Sequence, residues 1–102
     1  HDALPICDLI SAEEALALGF LNYVVPAEEV LAKAMGIAEK IAANGPIAVK
    51  AIRQSARACL GLPEQEALKL ESRISGPVFQ TEDAREGPRA FMEKRQPSYK
   101  GR

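Results

Sequence analysis

The chain has 102 residues, a formal net charge of -1 and 47% apolar residues, a composition typical of one globular domain. Its balanced charge argues against bulk attraction to nucleic acid. No apolar run reaches the roughly 18 residues needed to span a membrane, and no basic segment followed by an apolar one marks an export signal. We therefore expect no nucleic-acid or membrane partner, and a cytoplasmic location.

Histidine and cysteine are too rare for common metal or triad chemistry. His1 is the only histidine, and Cys7 and Cys59 lie far apart without a paired-cysteine motif. A zinc site would have too few ligands, and a Ser-His-Asp arrangement is equally improbable. We expect no metal site. Because the chain begins with histidine, we interpret it as a piece of a longer protein.

The first 25 residues contain three different signals. Residues 1–8 have neither periodicity nor a helix cap, and we interpret them as an unmatched leader, a sequence artefact joined near Asp8. Ser11 and Glu14 form a capping box that predicts a short helix to about Leu18. The aromatic and β-branched residues 20–25 predict a strand. Since this strand has no partner in the chain, its sheet would have to come from missing sequence.

From Pro26 the pattern predicts successive amphipathic helices with short turns. Apolar residues spaced by three and four predict a helix to Ala43, and Gly45 is expected to end it, with Pro46 starting the next. Further helices are predicted over residues 46–60 and 63–75. Gly76-Pro77 predicts a kink or break. Lys50, Arg53 and Arg57 form a basic stripe that we interpret as a solvated face.

The last segment, residues 81–102, carries the candidate binding residues. Thr81 can cap a helix whose first turn is acidic, and Pro88 predicts an interruption and a restarted turn. On a helix, Phe91 and Lys94 would share one face, an aromatic ring beside an ammonium group. Such a pair could hold a nucleotide. The residues alone also allow Phe91 to be a core anchor and Lys94 a solvated lysine.

Three longer stretches occur in a recognisable order. They are SAEEALALGFLNYVVP, IAANGPIAVK and TEDAREGPRAFMEKRQPSYKGR. Together they resemble the C-terminal part of the enoyl-CoA hydratase/isomerase (crotonase) family, over about Leu9 to Arg102. The resemblance implies an α/β parent whose ββα units wind into a spiral. This chain would be mostly α: residues 9–25 the end of the spiral, with its last strand, and residues 26–102 a helical region that forms trimers, often paired as hexamers.

The resemblance also implies that the N-terminal half and the C-terminal part of the parent have different roles. The oxyanion-hole amides and the two hydratase glutamates of the family belong to the N-terminal half, so no catalytic residue is expected in this chain. The position matching Phe91 would contact the adenine of CoA, and the one matching Lys94 its phosphates, both from a neighbouring subunit. CoA is part of the substrate, so no separate cofactor is implied.

Two functions from different classes follow. The chain would be the C-terminal fragment of an enzyme acting on acyl-CoA thioesters, hydrating 2-enoyl-CoA in the manner of fatty-acid β-oxidation and inactive alone. Its partners would be the acyl-CoA, other copies of itself and the missing N-terminal half. Alternatively, it would be a non-catalytic helical oligomerisation module. An upstream sequence with the oxyanion-hole segment and two glutamates favours the enzyme.

Overall fold

The computed structural model describes residues 9–102, and α-helix is their dominant secondary structure. Within these residues, two short 3-10 helices, Ala27–Glu29 and Gly76–Gln80, accompany five α-helices. The α-helices are α1 (Ala12–Ala17), α2 (Val30–Ala42), α3 (Pro46–Ala58), α4 (Glu64–Ser75) and α5 (Glu82–Met92). The prediction of a mostly helical chain is confirmed. The interpretation of residues 1–8 as a leader lies outside the described residues.

Helix α1 has the termini that its sequence predicts. The Ser11 hydroxyl accepts from the Glu14 amide at 3.1 Å, and the Glu14 carboxylate accepts from the Ser11 amide at 2.7 Å, which completes the capping box. Hydrogen bonding of the Glu14 carboxylate to the Ser11 backbone amide, and then to the Ser11 side chain, lowers the pKa of Glu14. At the other end, Gly19 has φ of +76°. The amides of Gly19 and Phe20 donate back to Leu16 and Ala15, the two bonds of a Schellman motif.

The strand predicted over residues 20–25 is absent from the structure. Residues 21–26 have no regular secondary structure, and no strand occurs anywhere in residues 9–102. Strands require a neighbour that accepts and donates ladder hydrogen bonds, and the described chain supplies none. The Leu21 amide turns back to the carbonyl of Ala15 instead. High β-propensity alone therefore did not make a strand here.

The chain divides into two compact units, the first ending at Gly36 and the second running from Ile37 to Arg102. In the first, the Lys33 ammonium lies 4.4 Å from the centroid of the Tyr23 ring, a cation–π contact. In the second, α3 packs against α4, and the 3-10 helix Gly76–Gln80 contacts α3, α4 and α5. This 3-10 helix is the break predicted at Gly76-Pro77.

Two turn assignments are wrong in detail. Gly45 has a negative φ and is the N-cap of α3 rather than a left-handed end of α2, which the Asn44 side chain caps by donating to Lys40. Pro88 does not restart a turn, because α5 runs through it. The preceding residue, Gly87, lacks the Cβ that would collide with a proline ring in helical geometry. Pro46 is at the start of α3, as predicted.

Large apolar side chains are not buried within the described residues. The buried apolar residues there are Ala15 and Ala90, whereas Leu31, Ile52 and Phe79 are more than two-thirds exposed. Lys50, Arg53 and Arg57 are also exposed, which agrees with a solvated basic face. Helices of this amphipathic kind ordinarily bury their apolar stripe. In residues 9–102 no helix combines the length and apolarity that crossing a membrane requires.

Candidate functional site

The two candidate binding residues lie at the C-terminal end of α5, but not on one helical face. The helix ends at Met92, Glu93 is its C-cap, and Lys94 has φ of +54°. The Lys94 amide donates to the Phe91 carbonyl at 3.2 Å and the Arg95 amide to the Ala90 carbonyl at 3.0 Å. This is the Schellman arrangement. Lys94 is therefore the left-handed residue that ends the helix, and the predicted shared face is wrong.

Phe91 is exposed to an unusual degree for an aromatic residue. Its side chain is 85% exposed, and the adjacent Met92 is 82% exposed. Within residues 9–102, Phe91 is therefore not a core anchor, the alternative that its spacing left open. A free aromatic face can stack on a planar ring such as a nucleobase. No carboxylate in the described part of the chain forms an ion pair with Lys94.

The tail that follows the helix folds back along α5 and is held by Asp83. This side chain is 6% exposed, and its two carboxylate oxygens accept from the backbone amides of Lys100 at 2.6 Å and Gly101 at 2.7 Å. The Asp83 amide donates in turn to the carbonyl of Arg102 at 3.1 Å. The charge is buried at a tolerable cost because these donors replace water.

A second buried carboxylate, Glu86, holds the middle of the tail. It accepts from Arg95 Nη1 at 2.5 Å and Nη2 at 3.1 Å, from Arg89 Nη2 at 2.7 Å and from the Ser98 amide at 2.8 Å. The hydrogen bonds from Arg95, then Ser98 and Arg89, lower the pKa of Glu86 well below its usual range. Glu86 is thus ionised at neutral pH with its acceptor sites occupied, which makes it unsuitable as a general acid or base.

Tyr99 packs the tail against two glycines. Its ring lies 3.6 Å from where a Cβ on Gly45 would stand, and its hydroxyl oxygen lies 3.2 Å from the equivalent position on Gly87. Gly101, with φ of +73°, lies equally close to Pro46: a Cβ on Gly101 would be 3.3 Å from Cγ of Pro46. The tail therefore crosses the start of α3 and one side of α5 at glycine positions, because larger residues would hold it off.

The sequence-based interpretation missed the roles of Asp83 and Glu86. The sequence pattern indicates only an acidic first turn for this helix and predicts no partner for either carboxylate. In the structure Arg95 pairs with Glu86 and Glu93, and Arg102 with Glu82 at 3.0 Å. The available signal was the three-residue spacing of Asp83 and Glu86, which places both on one helix face.

An apolar groove lies beside this tail in the same compact unit. It has a volume of about 680 Å³ and runs between α3, the 3-10 helix and α5. Ile52, Val78 and Phe79 supply apolar wall, while Asp83, which borders it, is already hydrogen-bonded to the tail. The groove has the chemistry of a packing surface. No group of three or more possible metal ligands occurs among residues 9–102.

The chain matches one family model along its whole length. That model, described as enoyl-CoA hydratase/isomerase, covers residues 1–102. Similar curated proteins include enoyl-CoA hydratase EchA19 of Mycobacterium tuberculosis, 46% identical over 102 aligned residues covering 94% of this chain and 38% of that protein. Carnitinyl-CoA dehydratase of Proteus mirabilis is 41% identical over 97 residues, 91% of this chain and 37% of that protein.

Solved structures give the same picture. Enoyl-CoA hydratase from Bacillus anthracis has a TM-score of 0.89 and 42% identity over 91% of this chain and 36% of that one. An enoyl-CoA hydratase/isomerase from Mycobacterium paratuberculosis has a TM-score of 0.86 and 40% identity, covering 37% of that chain. The chain spans less than two-fifths of the length of these relatives. The assignment of residues 1–8 and the domain boundaries remain predictions.

Proposed function

Because the chain belongs to the enoyl-CoA hydratase/isomerase family, and corresponds to the C-terminal part of a crotonase-fold protein, we propose that it supplies the CoA-nucleotide contacts and subunit contacts of an enzyme that hydrates 2-enoyl-CoA thioesters. In this proposal the ring of Phe91 stacks on the adenine, and the Lys94 ammonium pairs with the phosphates, from a neighbouring subunit of a trimer or hexamer. The catalytic groups lie upstream, the acyl-CoA needs no further cofactor, and the enzyme is cytoplasmic.

One observation carries the nucleotide contact: a free aromatic ring and a lysine stand three residues apart at an exposed helix end. Phe91 is 85% exposed, and Lys94 occupies the tight left-handed turn directly after the helix. Ring stacking and ammonium–phosphate pairing are two of the interactions that an adenine nucleotide offers. The names of the relatives, a hydratase and a dehydratase of CoA thioesters, support an acyl-CoA substrate.

The exposed apolar faces support the subunit contacts. Exposed apolar side chains on α2 and α3, together with Phe79, form surfaces that a soluble monomer rarely leaves uncovered. We propose that the N-terminal half of the parent and neighbouring subunits cover them. The sizes expected from light scattering are those of a trimer or a hexamer. A full-length protein that assembles but binds no acyl-CoA would support the alternative, a non-catalytic oligomerisation module.

The test compares Lys94→Ala with Lys69→Ala in the full-length protein. Both variants lose one exposed ammonium group, but Lys69 lies on α4 and not at the end of α5. We expect Lys94→Ala to raise the KM for but-2-enoyl-CoA roughly tenfold, the worth of one charge-assisted hydrogen bond, with kcat little changed. Lys69→Ala should behave like the wild type. Equal KM values in the two variants would remove Lys94 from the site.

A further inference from the structure

Arg95, the residue directly after Lys94, is held by several hydrogen bonds, one of them from Nη1 to the Gln96 carbonyl at 3.1 Å. Its Nε donates to Glu93 Oε2 at 2.5 Å, and its Nη atoms donate to both carboxylate oxygens of Glu86. Its backbone amide donates to the carbonyl of Ala90, which is 1% exposed. Arg95 therefore ties the end of α5 to a residue almost two turns earlier on the same helix. A bidentate guanidinium–carboxylate pair of this kind fixes orientation as well as position.

This clamp surrounds a residue in an unfavourable backbone conformation. Lys94 has φ of +54° and a Cβ, which makes the left-handed region costly for it compared with glycine. Its two neighbours, Glu93 and Arg95, are joined by an ion pair that bridges across it. Strained conformations persist when their surroundings fix them, and they are common at ligand sites. The backbone of Lys94 sets the direction of the Cα–Cβ bond from which its exposed side chain extends.

We infer that Glu86 and Arg95 are positioning residues, which hold the turn of Lys94 so that its ammonium and the Phe91 ring meet one nucleotide. This inference rests on the proposed function. Neither residue contacts the ligand in it. Glu86 is the fixed point, since it is buried on α5 and bonded to Arg89 and to the Ser98 amide as well. Arg95 links this fixed carboxylate to the turn at Lys94.

Direct binding of phosphate by Arg95 is the competing explanation. The two explanations predict opposite changes in nucleotide affinity when Glu86 is replaced by glutamine. The Glu86→Gln substitution removes a negative charge and releases Arg95. If Arg95 bound phosphate itself, this release would strengthen nucleotide binding, because a freed guanidinium is an excellent phosphate ligand. If Arg95 positions Lys94, the same substitution weakens binding despite the added positive charge. Arg95→Met lowers affinity in both cases, so Glu86→Gln is the informative variant.

The experiment measures kcat/KM in the full-length protein for two substrates, but-2-enoyl-CoA and the but-2-enoyl thioester of pantetheine, which lacks the nucleotide. We expect Glu86→Gln and Arg95→Met to lower kcat/KM for the CoA thioester roughly five- to tenfold, through KM, with Arg95→Lys intermediate. Activity on the pantetheine thioester should stay within about twofold of wild type, since the nucleotide contact is absent there. Equal losses on both substrates would indicate general destabilisation and overturn the inference.

Arg102→Met is the matched charge control. Arg102 also belongs to the tail and pairs with Glu82, but it lies at the opposite end of α5 from Lys94. If Arg102→Met lowers kcat/KM for the CoA thioester as much as Arg95→Met does, the basic tail acts by diffuse attraction and the inference is overturned. Unchanged or tighter CoA binding in Glu86→Gln would also overturn it. The ratio of kcat/KM for the CoA thioester to kcat/KM for the pantetheine thioester separates the two proposals. If Lys94→Ala and Phe91→Ala also leave this ratio unchanged, the proposed nucleotide contact itself fails. If Lys94→Ala and Phe91→Ala change the ratio but Glu86→Gln and Arg95→Met do not, the contact stands and the positioning role of Glu86 and Arg95 fails.

Discussion

Replacing Lys94 with glycine should stabilise the end of α5 while weakening CoA binding. The left-handed region costs an L-residue about 1–2 kcal/mol, which glycine avoids. Glycine in turn loses roughly 0.5–1 kcal/mol more conformational entropy on folding than alanine. The central values of the two ranges leave a net local stabilisation of about 0.5–1 kcal/mol. Helix α1 provides the internal comparison, since Gly19 occupies the equivalent Schellman position there with φ of +76°.

Native-state hydrogen exchange of residues 94 and 95 is the suitable assay, because their amides make the two bonds of the motif. A tenfold change corresponds to about 1.4 kcal/mol, so exchange at these amides should slow about two- to fivefold in Lys94→Gly after correction for intrinsic rates. Lys94→Ala is the control: it loses the same ammonium group but keeps a Cβ, and its exchange should not slow.

Local stability at the end of α5 and CoA affinity should change independently in these variants. Both Lys94→Gly and Lys94→Ala lose the ammonium, so both should bind CoA more weakly, although only the first gains local protection. Exchange that is unchanged or faster in Lys94→Gly would refute the reasoning, since it would mean that residue 94 does not carry left-handed strain. Unchanged CoA binding in a better protected Lys94→Gly would leave the strain argument intact and refute the phosphate contact.

Three further outcomes are expected. Gly36→Ala, with open space around its new Cβ, should stabilise α2 by about 1 kcal/mol. Gly87→Ala should instead destabilise α5, because the new Cβ would meet the ring of Pro88 and lie 3.2 Å from the Tyr99 hydroxyl oxygen. Melting temperatures of the two variants and the wild type test this. The hydrogen bonds from Arg95 lower the pKa of Glu86 in the folded state. The stability that the ionised Glu86 carboxylate adds to the fold is therefore complete above its ordinary pKa of 4.5 and is lost progressively as the pH falls below that value. The melting temperature should therefore drop less between about pH 6 and 3 in Glu86→Gln than in wild type. The isolated chain, with its uncovered apolar faces, should aggregate or bind a hydrophobic dye; a sharp monomer peak with cooperative melting would contradict this.

The sequence by itself determined the helices and most of their ends. Capping side chains, prolines at first positions and apolar spacing act within a few residues, so the Ser11 capping box, the Thr81 cap and the break at Gly76-Pro77 could all be predicted locally. The same local rules overpredicted the strand of residues 20–25, because a strand depends on a neighbour that the described chain does not contain.

The tertiary structure alone decided the form of the candidate site. Spacing placed Phe91 and Lys94 on one helical face, but the helix ends between them, and the reversal of the tail decides where each points. Asp83 and Glu86 looked like ordinary surface acids, yet they are buried beneath residues 12 to 18 positions later in the chain. Pairings at that separation depend on the path of the backbone, which local residue patterns do not specify.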